Sequence, residues 1–235
     1  IMNLASAIKT EGRALPVFLL VDVSGSMSGE KIGAVNTALR EMLATFRSIK
    51  NPRGIIKLCV VTFGANGATV LKALSEIRPD DAYEFHANGG TPMGSAFETL
   101  SSFLEDKNVV SSRDYTPTAI LISDGQPTDF HGSGTDVESI VESWRPLARL
   151  LDPNNRSSKI VRLAMGIGSD ANYDILKAFV NNPEVPVIRA NDNTTIANFF
   201  KWVTMSVSTR SVSVNPNIVD FDEFEESFDV DSIVL

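Results

Sequence analysis

Carboxylate and hydroxyl side chains crowd one junction of the sequence, between an apolar run and a helical pattern. The stretch VDVSGSMSGEKI, residues 21–32, places Asp22, Ser24 and Ser26 at alternate positions. It follows the apolar run PVFLLV and precedes KIGAVNTALREMLATF, and no His or Cys lies nearby. Carboxylates combined with hydroxyls are hard oxygen ligands, suited to Mg²⁺, Mn²⁺ or Ca²⁺ rather than to zinc or copper. The residue types therefore predict a divalent-metal site at the end of a strand.

A second carboxylate is needed to balance a divalent charge, and Asp124 supplies it after the apolar run AILIS. An extended backbone would direct the alternate side chains of the first cluster to one side, and Gly25 and Gly29 would let it turn closely into the helix. Ligands of doubly wound sheets lie beyond the carboxyl ends of the strands. Asp22 and Asp124 therefore meet if their strands are central neighbours. The simpler alternative is that these residues only cap helices and form turns.

The elements that must position these side chains are predicted from hydrophobic periodicity. Short apolar runs alternate with helical patterns, which indicates an α/β fold, a doubly wound and mainly parallel sheet with helices on both faces. The predicted strands are residues 16–22, 55–63, 118–123, 160–166 and 185–189, with 68–77 as one antiparallel edge strand after the turn GANG. The predicted helices are 32–49, a second capped by Thr91 and starting at Pro92, a third over 136–151 kinked at Arg145-Pro146, and two shorter ones at 172–181 and 194–208.

Length and charge divide the chain into three predicted segments. With 235 residues, 43% of them hydrophobic, the chain can bury one sizeable core. We predict an N-terminal extension over 1–13, one domain over 14–210 and an acidic C-terminal tail over 211–235. Seven of the 29 acidic residues follow Arg210, which is the last basic residue, so the body is nearly neutral. Neither part offers the basic surface that nucleic-acid binding requires.

The compartment is predicted from cysteine usage and hydropathy. The sequence contains no run of 18 or more apolar residues, so no transmembrane helix is predicted. The first residues lack the basic start and clean apolar segment of a signal peptide. The single cysteine, Cys59, lies in an apolar run and allows neither a disulfide framework nor a four-ligand zinc site. A cytoplasmic location is the expectation.

Three motifs together resemble a known family. DVSGS matches the D-x-S-x-S pattern of von Willebrand factor type A (VWA) domains, and GGTPMGSA and ISDGQPTD match its two later loops, over about residues 14 to 208. The resemblance implies a Rossmann-like fold with a metal-ion-dependent adhesion site. It implies a metal held directly by Ser24, Ser26 and Thr91, with Asp22 and Asp124 acting partly through bound water. A partner's Asp or Glu would supply the last ligand to Mg²⁺, or to Mn²⁺ or Ca²⁺.

Within that family, the motifs and the late segment FFKWVTMSVSTRSVS resemble a compact bacterial branch associated with tellurium-resistance and stress operons. That resemblance implies work beside kinase-like or phosphatase-like operon products. Some members of the branch carry a cysteine-rich metal module after the domain. This chain has one cysteine and an acidic tail instead, so that part of the pattern is not matched.

The same residues match the motifs of several enzyme classes only in part. Ser28 and Lys31 fit S-x-x-K, and SDG resembles S-D-N, but the K-T-G element of penicillin-recognising serine hydrolases is missing from the late strands. A haloacid-dehalogenase-type phosphatase needs a second Asp where Ser24 stands. The spacing of a P-loop and the G-x-S-x-G elbow are also absent. No base adjoins an activated nucleophile, so we predict a non-enzymatic interaction module. A metal-dependent phosphohydrolase that uses Asp22 is the alternative.

The acidic tail and Asp129 are two further features of the sequence. The tail places Phe221, Phe224 and Phe228 at helical steps among acids. This predicts either an amphipathic helix that docks on a partner or on another copy, or a disordered solubilising tail. A tail carboxylate that reaches the metal site of another copy would cause self-association. Asp129 in QPTDF is expected to be solvated rather than to support the site.

Overall fold

The computed structural model describes residues 12–50, 52–65, 67–132, 134, 136–219 and 227–234. Its strands are β1 Ala14–Asp22, β2 Ile55–Gly64, β3 Gly67–Glu76, β4 Thr118–Ser123, β5 Val161–Ile167, β6 Val187–Ala190 and β7 Ile233–Val234. Its helices are α1 Glu30–Ser48, α2 Met93–Glu105, α3 Val137–Ser143, α4 Arg145–Leu151, α5 Tyr173–Val180 and α6 Asn193–Val212.

The seven strands form one sheet in the order β3-β2-β1-β4-β5-β6-β7. The five inner strands are parallel to each other, and β3 and β7 run antiparallel at the two edges. All nine residues of β1 are buried, because helices cover both faces of a parallel sheet. The helices pack in two groups, α1 with α6, and α2 to α5 with each other. The predicted α/β, doubly wound fold with an antiparallel edge strand is confirmed.

Two elements differ from their predictions. The helix expected over 136–151 is interrupted at Trp144 and continues as α4, with Pro146 in its first turn. Proline is tolerated in a first turn because the amides there have no intrahelical acceptor. The kink predicted at Arg145-Pro146 is therefore a break between two helices. The strand β7 was not predicted at all.

The segment assigned to the acidic tail lies against the body of the protein at both of its described ends. The Ser211 carbonyl accepts hydrogen bonds from the amides of Arg53 and Gly54, at 2.7 and 2.8 Å. At the other end β7 pairs with β6, and Phe228 packs against the core. Phe221 and Phe224, on which the predicted amphipathic helix depends, lie outside the described residues.

The described part of the chain contains no helix with both the length and the hydrophobicity needed to cross a bilayer.

The edge strand β3 carries a buried ion pair on its inner side. Lys72 donates to the carboxylate of Asp81 at 2.8 Å, and the two side chains are only 4% and 13% exposed. Burial alone would raise the pKa of Asp81. Hydrogen bonds from Lys72, the Arg78 amide and the Tyr83 hydroxyl outweigh burial and lower the pKa of Asp81 to about 2. The pairing of β2 with β3 is irregular close to Lys72, with register shifts on both sides of Val60.

The lowered pKa of Asp81 predicts an acid-dependent loss of stability. A carboxyl whose pKa is lower in the folded protein than its ordinary 3.8 stabilises the fold above that value, and the contribution disappears as the pH falls toward about 2. Urea unfolding of wild type and Asp81→Asn should therefore differ most at pH 6 and progressively less below pH 4. An equal difference at pH 6 and pH 3 would contradict this assignment.

Candidate metal centre

The two aspartates of the predicted site lie on neighbouring strands. β1 and β4 are parallel partners, with Val21 opposite Ile122, so Asp22 and Asp124 follow at the same edge of the sheet. Ser123, the last residue of β4, donates from its hydroxyl to Asp22 Oδ2 at 2.5 Å. Asp22 is completely buried and Asp124 is 2% exposed. The condition set by the sequence, that the two strands be central neighbours, is met.

The serine cluster follows β1 in a tight turn. The Ser24 amide donates to Asp22 Oδ1 at 2.7 Å, and the Ser24 and Ser26 hydroxyl oxygens are 3.0 Å apart. The Ser26 hydroxyl also donates to Asp124 Oδ1 at 2.7 Å. The expected extended backbone is wrong, because residues Gly25–Met27 form a single 3₁₀ turn. Ser24 itself is extended, so the turn that follows folds the second hydroxyl back toward the first.

Thr91 reaches the same place from the loop before α2. A Cβ built on Gly125 would lie 3.4 Å from Thr91 Oγ1 and 3.7 Å from Ser26 Oγ, so both hydroxyls border one point beside Asp124. Thr91 is 5% exposed. Its amide donates to Thr128 Oγ1 at 3.2 Å, and its carbonyl accepts from the Thr128 amide at 2.9 Å. The backbone of Thr91 is therefore held by the loop that follows Asp124.

Gly89 joins the serine turn to the threonine loop. Its carbonyl accepts from the Gly25 amide at 2.9 Å, and its φ is +77°. A Cβ on Gly89 would stand 2.4 Å from both Cα and Cβ of Ala65. Any side chain here would be strained and would collide with the backbone of the β2–β3 hairpin.

Asp129 provides the cap that the sequence assigned to Thr91. Its two carboxylate oxygens accept from the amides of Gly94 and Ser95, each at 3.1 Å. α2 begins at Met93, so Thr91 lies ahead of the N-cap position and the predicted cap is wrong. The expectation of a solvated Asp129 is also wrong. The carboxylate satisfies two free amides of the helix N-terminus and fixes α2 against the loop after β4.

Replacement of Asp129 should weaken both the fold and the site. Loss of a side-chain cap costs about 1–2 kcal/mol, so Asp129→Ala should unfold at lower urea concentration than wild type by that free energy. Asp129→Asn retains one acceptor oxygen and should lose about half as much. Because the Thr91 loop precedes this helix, affinity for Mg²⁺ should fall as well. Asp174→Ala, at an exposed position of α5, is the control, and equal stabilities of all variants would contradict the cap.

The electrostatics of the cluster favour an added cation. Burial raises the pKa of Asp22, the hydrogen bonds from Ser123 and Ser24 oppose that rise, and the nearby Asp124 carboxylate adds to it. Lys31, in the first turn of α1, forms an ion pair with Asp124 Oδ2. Neither Lys31 nor Ser123 was predicted to contact the site.

Comparison with known families gives the same assignment as the motifs. The family model of the von Willebrand factor type A domain matches residues 17–202, most of the chain. The chain belongs to the VWA family. No curated protein matches it.

Solved structures show the VWA fold at low sequence identity. A VWA protein from Catenulispora acidiphila aligns with a TM-score of 0.62 and 20% identity, over 83% of this chain and 42% of that one. Proximal thread matrix protein 1 from the mussel byssus, with a zinc-occupied MIDAS motif, aligns at 0.56 and 19%, over 82% and 45%. Manganese-loaded TRAP of Plasmodium vivax aligns at 0.53 and 19%, over 79% and 71%. The chain spans less than half the length of the first two proteins.

The donor set of this VWA domain fits a hard divalent cation. The side chains that meet at the sheet edge offer two carboxylates and three hydroxyls, all of them oxygen donors. Among the described residues, no group of three or more His, Cys, Asp or Glu side chains is arranged to hold a metal ion. A metal ion at this edge would therefore need the hydroxyl oxygens in addition to the two carboxylates.

Proposed function

We propose that this VWA domain is a non-enzymatic protein-interaction module that binds an Asp or Glu side chain of a partner protein through a divalent cation. One observation carries the proposal. Three separate loops bring the oxygen atoms of five side chains to one edge of the sheet, and those side chains are Asp22, Ser24, Ser26, Thr91 and Asp124. VWA domains generally mediate protein–protein interaction and are generally not enzymes.

Each of the five side chains has a proposed role. Ser24, Ser26 and Thr91 contribute hydroxyl ligands, and Asp22 and Asp124 balance the charge, in part through bound water. When bound, a divalent cation supplies a Lewis-acidic position that accepts a carboxylate oxygen. We propose Mg²⁺ as the resident ion, with Mn²⁺ and Ca²⁺ also compatible with oxygen donors. Among the structural relatives, one has a zinc-occupied MIDAS motif and another is manganese-loaded.

The geometry argues against the alternative, a phosphohydrolase that uses Asp22. Asp22 is fully buried, and its two carboxylate oxygens accept hydrogen bonds from the Ser24 amide and the Ser123 hydroxyl. A nucleophile has to reach a phosphorus atom, and this carboxylate is covered. The S-x-x-K pattern also fails as a catalytic pair. Its Ser28 hydroxyl donates to the Gly25 carbonyl, while Lys31 binds Asp124.

The biological setting is proposed from the motifs. We place the domain in the cytoplasm of a bacterium, in a tellurium-resistance or stress and defence system, with kinase-like or phosphatase-like operon products as candidate partners. Self-association through the acidic residues of the tail 211–235 is a further proposal. The resemblance of DVSGSMSGEKI and SDGQPTD to that branch supports the setting.

A peptide-display selection tests the proposed function directly. The immobilised protein would be exposed to random displayed peptides in MgCl₂, and bound peptides would be released with EDTA. We expect the recovered peptides to contain an Asp or Glu whose change to Asn or Gln abolishes binding. Retention on an Asp124→Asn surface should be lost as well.

Two outcomes would refute this function. One is recovered peptides whose binding survives EDTA or does not depend on an acidic residue. The other is hydrolysis of p-nitrophenyl phosphate by the wild type that disappears in Asp22→Asn, which would favour the phosphohydrolase.

A further inference from the structure

A lysine side chain already neutralises one carboxylate of the site. Lys31 Nζ forms an ion pair with Asp124 Oδ2, and the Asp124 side chain is 0% exposed whereas that of Lys31 is 36% exposed. Gly29, with φ of +81°, precedes α1 and places Lys31 in its first turn, above the sheet edge. A Cβ on Gly168, just after β5, would lie 3.8 Å from Nζ. The ammonium thus sits between the loops that follow β4 and β5.

Both carboxylates of the site have all their oxygens engaged. Asp124 accepts from Ser26 on Oδ1 and from Lys31 on Oδ2, and Asp22 accepts from Ser24 and Ser123. Among these contacts, the only charged donor is Lys31. Two buried carboxylates are therefore balanced by one ammonium, which leaves part of their charge uncompensated.

Binding of a divalent cation beside Asp124 is electrostatically unfavourable while the Lys31 ammonium is paired with the same carboxylate. They carry charge of the same sign, and each is attracted to Asp124. Two like charges a few ångströms apart repel strongly in a site that is largely closed to water. The lysine can leave more easily than the aspartate, because its side chain is partly exposed and has a flexible four-carbon stem.

We propose that Lys31 is a built-in competitor of the metal, which pairs with Asp124 in the metal-free protein and is released from it when a divalent cation binds. The inference rests on the proposed metal-dependent function and adds a determinant of its affinity. Lys31 stabilises the metal-free domain and lowers its affinity for the cation. Metal binding is thereby coupled to the exposure of one positive charge at the rim of the site.

Calorimetric titration with MgCl₂ tests this role. Lys31→Met retains an unbranched side chain, one atom shorter, but removes its charge. It should therefore bind Mg²⁺ about tenfold more tightly than wild type, the size expected for a pair with one buried member. Lys31→Gln should change affinity in the same direction. Lys31→Arg retains the charge and should bind like the wild type or more weakly. Lys177→Met is the matched control, since Lys177 is a half-buried lysine on α5 that lines a different cavity.

Thermal melts give a second readout that does not depend on the titration. Without metal, Lys31→Met should melt below wild type because Asp124 stays buried without its partner. With saturating Mg²⁺ the two should melt at similar temperatures, so the metal-induced rise is larger in the variant. Equal or weaker Mg²⁺ affinity in Lys31→Met and Lys31→Gln would overturn the inference about Lys31 alone. Failure of the wild type to bind any Mg²⁺, Mn²⁺ or Ca²⁺ would overturn the proposed function itself.

Discussion

Asp124→Asn should abolish the stabilisation that we expect Mg²⁺ to confer on the protein. For wild type at a Mg²⁺ concentration one hundred times its Kd, linkage gives about 2.7 kcal/mol of added stability. In a domain of this size each 1 kcal/mol raises Tm by about 2–4 °C, so the expected rise is about 5–10 °C. The variant should show no rise, because Asp124 is one of the two carboxylates that we propose to balance the divalent charge, and its Oδ1 accepts a hydrogen bond from Ser26. Differential scanning calorimetry with and without MgCl₂ measures the effect.

The control for this experiment removes the same charge elsewhere. Asp174 is exposed on α5, so Asp174→Asn should keep the full metal-induced rise in Tm. An Asp124→Asn protein that still gains stability from Mg²⁺ would place the metal at another site. A wild type without any gain would refute metal binding altogether.

Gly89→Ala should produce the largest loss of stability among single methyl additions to the loops of the site. The added Cβ would stand 2.4 Å from Ala65 atoms, and the residue would keep a φ of +77°. Overpacking and left-handed strain together cost about 3 kcal/mol. Relief of the collision has to shift Gly89 or Ala65, and a shift of Gly89 disturbs the hydrogen bond that its carbonyl accepts from the Gly25 amide. The contact between the serine turn and the Thr91 loop should therefore weaken. We expect a large fall in urea midpoint together with weakened Mg²⁺ binding.

Gly33→Ala is the matched methyl addition for that comparison. Gly33 is exposed within α1, and a Cβ there meets no atom within 4 Å. Alanine is a better helix former than glycine by about 1 kcal/mol, so Gly33→Ala should raise stability by up to that amount. If Gly89→Ala proved as stable as wild type, the tight approach of the two loops would be disproved.

The sheet was predictable because burial leaves a simple pattern in the sequence. The run 16–21 is apolar without interruption since β1 is covered on both faces, and the turn GANG marks the β2–β3 hairpin. β7 was missed because two residues, Ile233 and Val234, are too short a segment to show any periodicity. Their strand exists only because β6 offers an edge to pair with.

Four of the five proposed ligands, Asp22, Ser24, Ser26 and Asp124, could be named from residue type and strand ends, whereas Thr91 was named only from the family resemblance. The structure brings them to one place, and their role as metal ligands remains a prediction. Lys31, Ser123 and Asp129 were not assigned to the site, since their roles arise from contacts between distant parts of the chain. Asp129 lies 34 and 35 residues from the amides that it caps, and no local pattern signals that contact.

The irregular edge at β3 also bears on how copies of this protein meet one another. A long and regularly paired edge strand can form hydrogen bonds with a strand from a second molecule. Here the ladder slips on both sides of Val60, and a cationic side chain is directed inward beneath it. The backbone donors and acceptors of β3 are not regularly spaced at this irregularity, so a strand from another molecule could not form a continuous hydrogen-bond ladder with it. The outer rim at β3 is thus poorly suited to fibre-like stacking between copies of this protein.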